Sequence, residues 1–501
     1  MILRELLAEV ESRHVRGPLD REVTGLTLDS RRVQHGHAFF ALQGVHADGS
    51  RYAAAAVAAG AVAVIGPLGL AVEGATQVEV DDPRLALAQA AGRFHGHPSR
   101  TLDVIAVTGT NGKTTTTYLC EAILEAAGAR VGVIGTTGVR IAGEVLPSAF
   151  TTPEAPELQA LLALMRDAGV RAVALEASSH ALVQRRTFGL DCDVCVFTNL
   201  TQDHLDYHGT MAAYRDAKLM LFDGRNGGGQ RATAIVNADD PNADVVHAAA
   251  ERGGQSVRGY GSPAALAGRD GVALSSVEPQ GGTLRLTLAE RADGTVTEHA
   301  LVLPMLGRFN AWNAAAAFAA CRALGVSARD AVRGLEQSRG VPGRLERVVA
   351  GQAHEVVVDY AHTPDALERA LEACRDHCAG RLLLVFGCGG DRDRGKRPVM
   401  GAIAARLADR AWVTNDNPRS EDPAAIAAEI VAGAPAAGLE VLLDRSAAIA
   451  AAIADAKPGD IVLIAGKGHE TTQTVGEQVL PFDDRAVARA HLAGGSRTGT
   501  R

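Results

Sequence analysis

The chain has 501 residues, 47% hydrophobic and 22% charged, with a formal net charge of −8. At roughly 150 residues per domain this length suggests about three domains, and the composition is that of a globular chain able to bury large cores. The acidic balance argues against a general nucleic-acid binder, so any anionic ligand must be held by local positive charge. Seven scattered cysteines fit a reducing compartment better than a disulfide scaffold.

Residues 1–11 mix acids with apolar residues, which predicts an amphipathic surface helix and not a secretory signal. Residues 53–72 carry no charge and are long enough to cross a bilayer, but they are rich in Ala and Gly and break at Gly60 and Gly66-Pro67. A helix over 53–59 and a strand over 61–65 account for them, and no membrane insertion is expected. Further strands are predicted at 25–28 and 37–42, with polar loops such as Asp29-Ser-Arg-Arg32 between.

Asp103 to Val107 is a short apolar run with β-branched residues, read as a buried strand. Gly109 and Gly112 break it, and helical spacing follows from Lys113. Strand, glycine turn, Lys-Thr and helix form a cradle for nucleoside triphosphate: backbone N–H groups crowd the phosphates and the helix N-terminus favours negative charge. Gly109, Thr110, Asn111, Gly112, Lys113, Thr114 and Thr115 are the candidate ATP ligands, with Lys113 at the β/γ-phosphates and Thr114 on Mg²⁺. The generic Walker pattern would place a glycine where Val107 stands.

From 99 to 340, strands predicted at 129–134, 172–176, 194–198 and 233–237 alternate with helical segments. This is the rhythm of a doubly wound parallel sheet, whose ligands bind at the carboxyl ends of the strands. Glu176-Ala-Ser-Ser-His180 and Thr198-Asn-Leu-Thr-Gln-Asp-His204 sit at such ends. By chemistry, Glu176 suits Mg²⁺, whereas imidazole from His204 is an unusual partner, and a capping role for His204 stands beside it. Lys218, on an amphipathic helix, reads by patterning alone as a surface lysine. Cys192 and Cys195 have redox spacing but continue into an apolar strand, and Cys374 and Cys378 read as a helix face.

A third unit begins near Gly340, with strand ends at Asp359, Phe386-Gly-Cys-Gly-Gly390, Asp416-Asn-Pro-Arg419 and Gly466-Lys-Gly-His-Glu470. Arg392, Arg394, Lys396 and Arg397 are either a solvated loop or a carboxylate or phosphate clamp. Pro418 fixes the backbone before Arg419. The tail, 494–501, is expected to be disordered.

Together these motifs resemble the Mur ligase family over nearly the whole chain. Thr108-Gly-Thr-Asn-Gly-Lys-Thr-Thr115 is similar to its shortened phosphate loop, which explains Val107. Glu176-Ala-Ser-Ser-His180, Asn199-Leu-Thr-Gln-Asp-His-Leu-Asp-Tyr-His-Gly209 and Asp359-Tyr-Ala-His-Thr-Pro364 resemble the branch that adds the third residue of the peptidoglycan stem peptide. Asp416-Asn-Pro-Arg419 resembles the signature of the members that select meso-diaminopimelate.

The resemblance implies an α/β fold of three domains: a UDP-binding domain (1–98), a central ATPase domain with a parallel sheet (99–340) and a Rossmann-like amino-acid domain (341–493). It implies ATP as co-substrate with Mg²⁺, UDP-N-acetylmuramoyl-L-alanyl-D-glutamate and meso-diaminopimelate as the other substrates, a cytoplasmic location and a monomer. Leu28 and Ser30 match uridine-site positions. Thr151, Thr152, Ser178, Gln184 and Arg186 match contacts to the muramoyl dipeptide, with Phe150 where many relatives have Asn. Asn310, Arg344 and Asp359 match adenosine- or phosphate-side positions. Arg392, Asp416, Asn417, Pro418, Arg419, Gly466 and Glu470 match the diaminopimelate pocket. Lys218 matches a lysine carbamylated in this family, and Glu176, His204 and Thr114 join it as expected metal ligands. The rival readings are a lysine-adding or folylpolyglutamate-type ligase, which Leu26 to Val33 and Arg419 oppose, and a phosphate-loop switch or motor ATPase.

Overall fold

The computed structural model describes residues 1–44, 48–146, 148, 150–228, 231–436 and 438–495. Its α/β chain divides into two compact units: Met1–Ala273 with Glu290–Val296 and Ala315–Gly334, and Leu274–Ala289 with Thr297–Ala314 and Leu335–Arg501.

The first unit holds two sheets. In the smaller, strands His14–Arg16, Thr76–Glu79, Ala63–Gly66, His37–Phe40 and Gly25–Thr27 lie side by side in that order, parallel except for the first pair. The helix Ala53–Ala58 and the strand Ala63–Gly66 account for the uncharged run. Among the described residues no helix is long and apolar enough to cross a membrane. The amphipathic N-terminus makes only a short helix, Leu3–Leu6. The backbone N–H groups of Leu3 and Arg4 are taken by the carbonyls of Arg21 and Leu19, which ties this segment to the following chain instead of to a longer helix.

The larger sheet runs Ser256–Gly261, Thr233–Asn237, Val194–Phe197, Asp103–Thr108, Ala172–Glu176, Val131–Gly135, all parallel. Two antiparallel strands, Gly138–Ile141 and Glu144–Leu146, complete that edge. Five of the six parallel strands are continuous apolar runs because helices cover both faces. Val104, Ile105, Ala106 and Val107 are all buried. The register sets Glu176 beside Val107 and Phe197 beside Thr108, so three carboxyl ends open at one place.

In the second unit, Glu346–Arg347, Glu355–Asp359, Ile461–Ala465, Leu382–Phe386, Arg410–Val413 and Glu440–Val441 form a sheet in that order. It is parallel except for its first pair. Alternate residues feed two cores, one around Leu384, Phe386 and Leu463, the other around Val385, Trp412 and Ile464. The helix Asp484–Gly495 carries residues 494 and 495 of the expected tail; 496–501 lie outside the described residues. Three long strands that the sequence reading did not anticipate, Gly271–Gln280, Thr283–Ala292 and Thr295–Leu303, follow one another between the parallel sheets in the chain.

Candidate active site

The phosphate loop leaves the central strand Asp103–Thr108 through Gly109 at φ +148° and reaches the helix Lys113–Ala126 through Gly112 at φ +87°. A Cβ on Gly109 would lie 1.8 Å from Thr198 Oγ1, so no other residue fits there without displacing that hydroxyl. The neighbouring strand end clamps the loop. Thr198 Oγ1 donates to Asn111 O at 2.6 Å, Asn199 Oδ1 accepts from Asn111 N at 2.9 Å, and Asn237 Nδ2 donates to Thr198 O at 2.7 Å. The helix has no side-chain cap at its start, which leaves its first N–H groups for an anion. Lys113 Nζ donates to the carbonyls of Gly109 and Thr110, each at 2.9 Å.

Lys218 is buried, against the expectation from helix patterning, and donates to Gly109 O at 2.7 Å. Its Nζ stands 4.4 Å from the centre of the Tyr214 ring. Burial, reinforced by the nearby Lys113 charge, holds this amine well below the usual lysine range. Glu176 is fully buried and accepts from Thr136 N at 2.8 Å and Thr136 Oγ1 at 3.2 Å. His204 precedes the helix Leu205–His208 at φ +51°, its ring half-exposed and 3.5 Å from Asp203. It packs edge-on against His180, ring centres 4.8 Å apart. Burial, more than the neighbouring charges, lowers the pKa of both His180 and His208.

The residues expected at the muramoyl dipeptide adjoin this centre. Thr152 Oγ1 donates to Glu176 O at 2.7 Å and lies 3.3 Å from Ser178 Oγ. Thr151 and Thr136 hydroxyls are 3.2 Å apart. Arg186 donates to Thr152 O at 2.9 Å, is held by Gln184 Oε1 at 2.7 Å, and pairs with Glu154 at 3.0 Å. Gln184 in turn donates to Tyr207. The exposed Phe150 ring lies 4.7 Å from the Arg186 guanidinium, so it adds a cation–π contact where an Asn would offer a hydrogen bond. Ser30 opens the short 3₁₀ turn Ser30–Arg32, capped by Asp29, and Leu28 is half-buried just before it.

In the second unit, Asp359 is buried at its strand end and accepts from Leu345 N at 2.7 Å and Ala361 N at 2.8 Å. Burial raises its pKa; those two donors oppose the shift. Asn310 is buried, donating to Leu306 O and accepting from Asn313. Arg344 stacks over Tyr360 at 5.3 Å.

The residues expected at the diaminopimelate pocket converge. Arg419, at φ +52°, donates to Gly390 O at 2.7 Å. Asn417 donates to Glu470 at 2.9 Å. Gly466 has φ +119°, and a Cβ there would meet Asp416 Oδ2 at 2.8 Å. Asp416 is buried, which raises its pKa against the pull of Arg445 and Lys467. Pro418 O would lie 1.9 Å from a Cβ on Gly390, so the loops carrying Arg392 and Arg419 press together. The basic cluster is divided. Arg397 is fully buried between Glu421 and Glu429, Arg394 pairs with Glu429, and Lys396 donates to His362 O. Exposed Arg392 donates to Asp391 O at 3.0 Å.

The chain matches the description "Mur ligase family, catalytic domain" over residues 22–95, "Mur ligase middle domain" over 107–321, and "Mur ligase, glutamate ligase domain" over 343–468. It is 44% identical to a UDP-N-acetylmuramoyl-L-alanyl-D-glutamate–2,6-diaminopimelate ligase of Geobacter metallireducens, over 98% of each chain. The chain belongs to the Mur ligase family. A solved structure of another UDP-N-acetylmuramoyl-L-alanyl-D-glutamate–2,6-diaminopimelate ligase aligns with a TM-score of 0.76 at 33% identity, covering 99% of this chain and 100% of that one. A MurF ligase of Thermotoga maritima, solved with ADP, shares the fold at a TM-score of 0.56 and 20% identity, covering 94% and 96%.

Three buried residues beside the candidate site of this Mur ligase escaped the sequence reading. Lys467 is fully buried among Asp416, Asn417 and Glu470. Arg445 and Asp484 form a fully buried pair at 2.6 Å, and Arg445 also donates to Ala465 O and Asn415 O. A lysine between two glycines and an arginine opening a helix give no sign of burial in the sequence.

Proposed function

We propose that this chain is an ATP-dependent amide ligase that joins meso-diaminopimelate to UDP-N-acetylmuramoyl-L-alanyl-D-glutamate in peptidoglycan precursor synthesis. One observation carries the reading: a chain of this family pairs a phosphate loop with a pocket whose Arg419 and Glu470 suit the carboxylate and ammonium ends of a zwitterion. On this reading residues 1–98 hold the uridine diphosphate through Leu28 and Ser30, 99–340 hold ATP, and 341–493 hold the amino acid. Thr151, Thr152, Ser178, Gln184 and Arg186 take the muramoyl dipeptide, and Asn310, Arg344 and Asp359 serve the nucleotide.

A carboxylate is a poor acyl donor. The D-glutamyl γ-carboxylate attacks the γ-phosphorus of ATP, giving an acyl phosphate and ADP; the amine then attacks the carbonyl and expels phosphate. The phosphate loop N–H groups and Lys113 stabilise charge on the moving phosphoryl group, which requires Lys113 to exchange its two carbonyl partners for phosphate oxygens.

Glu176 and the Thr114 hydroxyl are hard oxygen donors of the kind Mg²⁺ takes. Among the described residues no three His, Cys, Asp or Glu side chains converge as a metal cage. Mg²⁺ would supply charge neutralisation there when bound. His204 and Lys218, the latter as a carbamate, complete the proposed ligands. Burial favours the neutral Lys218 amine, the form that adds CO₂: the nitrogen–carbon bond forms, a proton leaves, and an anionic oxygen donor results.

The reaction is placed in the cytoplasm, in keeping with its ATP requirement and the seven unpaired cysteines. The test is ADP release with each substrate omitted in turn. Sustained release requires ATP, the UDP-dipeptide and the amino acid together, because without the amine the reaction stops at the acyl phosphate; release without the dipeptide refutes the reading.

A further inference from the structure

Lys467 follows the strand Ile461–Ala465 and has no exposed surface. An ammonium withdrawn from water costs several kcal/mol unless it is paired and hydrogen-bonded. Here the partners are side chains of the amino-acid pocket: Asn417 Oδ1 at 3.1 Å, Glu470 Oε2 at 3.2 Å and Asp416 Oδ1 at 3.8 Å.

These contacts fix how the pocket presents itself. Asn417 Oδ1 accepts from both Lys467 and Thr474 N, the latter at 2.9 Å, so its Nδ2 must point to Glu470 Oε2, 2.9 Å away. Glu470 Oε2 is thereby held twice. The Glu470 side chain keeps 32% of its surface, whereas Lys467 keeps none, so Glu470 meets the ligand and Lys467 does not. Gly468 cannot be replaced by a bulkier residue, because a Cβ there would come within 2.6 Å of Tyr360 Cβ. The Gly466–Glu470 turn is therefore fixed in a shape that delivers the lysine inward.

We infer that Lys467 is a positioning residue for the acceptor amino acid, acting through Asn417 and Glu470 without touching substrate. This rests on the reading of the pocket given under Proposed function. Lys467→Met keeps the volume and removes the charge and donors. Its KM for the acceptor should rise ~10- to 100-fold, in the range set by removing supporting groups around a site. KM for ATP and for the UDP-dipeptide should stay within about twofold. In a Glu470→Gln background the same change should cost much less, because the partner carboxylate is already gone. Should Lys467→Met fail to fold, Lys467→Gln retains a donor without charge and is expected to show a smaller rise confined to the acceptor.

An unchanged acceptor KM in the folded variant, an equal rise for all three substrates, or additive losses with Glu470→Gln would overturn the proposal. Wild-type enzyme is assayed alongside with meso-diaminopimelate and with L-lysine, and the acceptor it turns over is the one followed. Wild-type enzyme inert with both would overturn the reading of the pocket itself. Activity with either, with no acceptor-specific effect of the variant, overturns the role of Lys467 alone.

Discussion

Gly109→Ala strikes the phosphate loop at its tightest point. The new methyl would sit 1.8 Å from Thr198 Oγ1 and require φ +148° of a residue with a side chain. Holding Ala in that region costs roughly 1–3 kcal/mol. Driving the Thr198 hydroxyl off Asn111 O, a 2.6 Å bond, adds about 1 kcal/mol. Lys113 and Lys218 both anchor on Gly109 O, so the same shift moves two amines of the candidate site. If the loss of about 2–4 kcal/mol falls on the transition state, kcat/KM for ATP drops roughly 30- to 1,000-fold. ADP release measured at varied ATP, on protein whose thermal melt is intact, reads this directly. Thr198→Ala removes the atom that the methyl strikes, so the losses in Gly109→Ala/Thr198→Ala should be less than additive. Activity of Gly109→Ala within threefold of wild type, or strict additivity, would refute the steric argument.

Two further outcomes follow from buried charge. Lys218 has a depressed pKa in the folded chain, whereas the unfolded chain holds that proton up to about pH 10.4. The unfolded state therefore binds more protons over that window, and stability rises with pH. In CO₂-free buffer, wild type should gain stability relative to Lys218→Met between pH 7 and pH 10 by urea unfolding followed by circular dichroism; a constant difference contradicts this. Arg445→Met leaves Asp484 buried without its cation, which should lower the unfolding free energy of the second unit by about 3–5 kcal/mol. Both tryptophans lie in that unit, and Trp412 is buried, so tryptophan fluorescence follows it; a loss below about 1 kcal/mol would mean that the pair is not the sole compensation for Asp484.

The parallel strands were legible because each is a short apolar run ending in polar residues, and Ala172–Glu176 and Thr233–Asn237 fall where the pattern places them. The strands Gly271–Gln280 to Thr295–Leu303 lack such apolar runs; their signals are alternating polar and apolar residues around the turn pairs Gly281-Gly282 and Asp293-Gly294, which the rhythm of a parallel sheet does not contain. Within the site, Gly109 and Gly112 announce themselves by type. Lys218 and Lys467 do not: both look like surface lysines in sequence, and both are buried by segments distant in the chain, Gly109 in the first case and Asn417 in the second. Family resemblance found Lys218 by position; nothing local to Gly466-Lys-Gly468 could have found Lys467.

The central claim concerns the acceptor, and the most direct measurement is kcat/KM for meso-diaminopimelate against L-lysine, with ATP, Mg²⁺ and the UDP-dipeptide saturating. L-Lysine lacks the second carboxylate and leaves the Arg419 guanidinium without its partner, at about 2–5 kcal/mol. The expected preference for diaminopimelate is therefore at least ~30-fold. Equal or better turnover of lysine would contradict the role given to Arg419, and ADP release indifferent to dipeptide and acceptor alike would contradict the ligase.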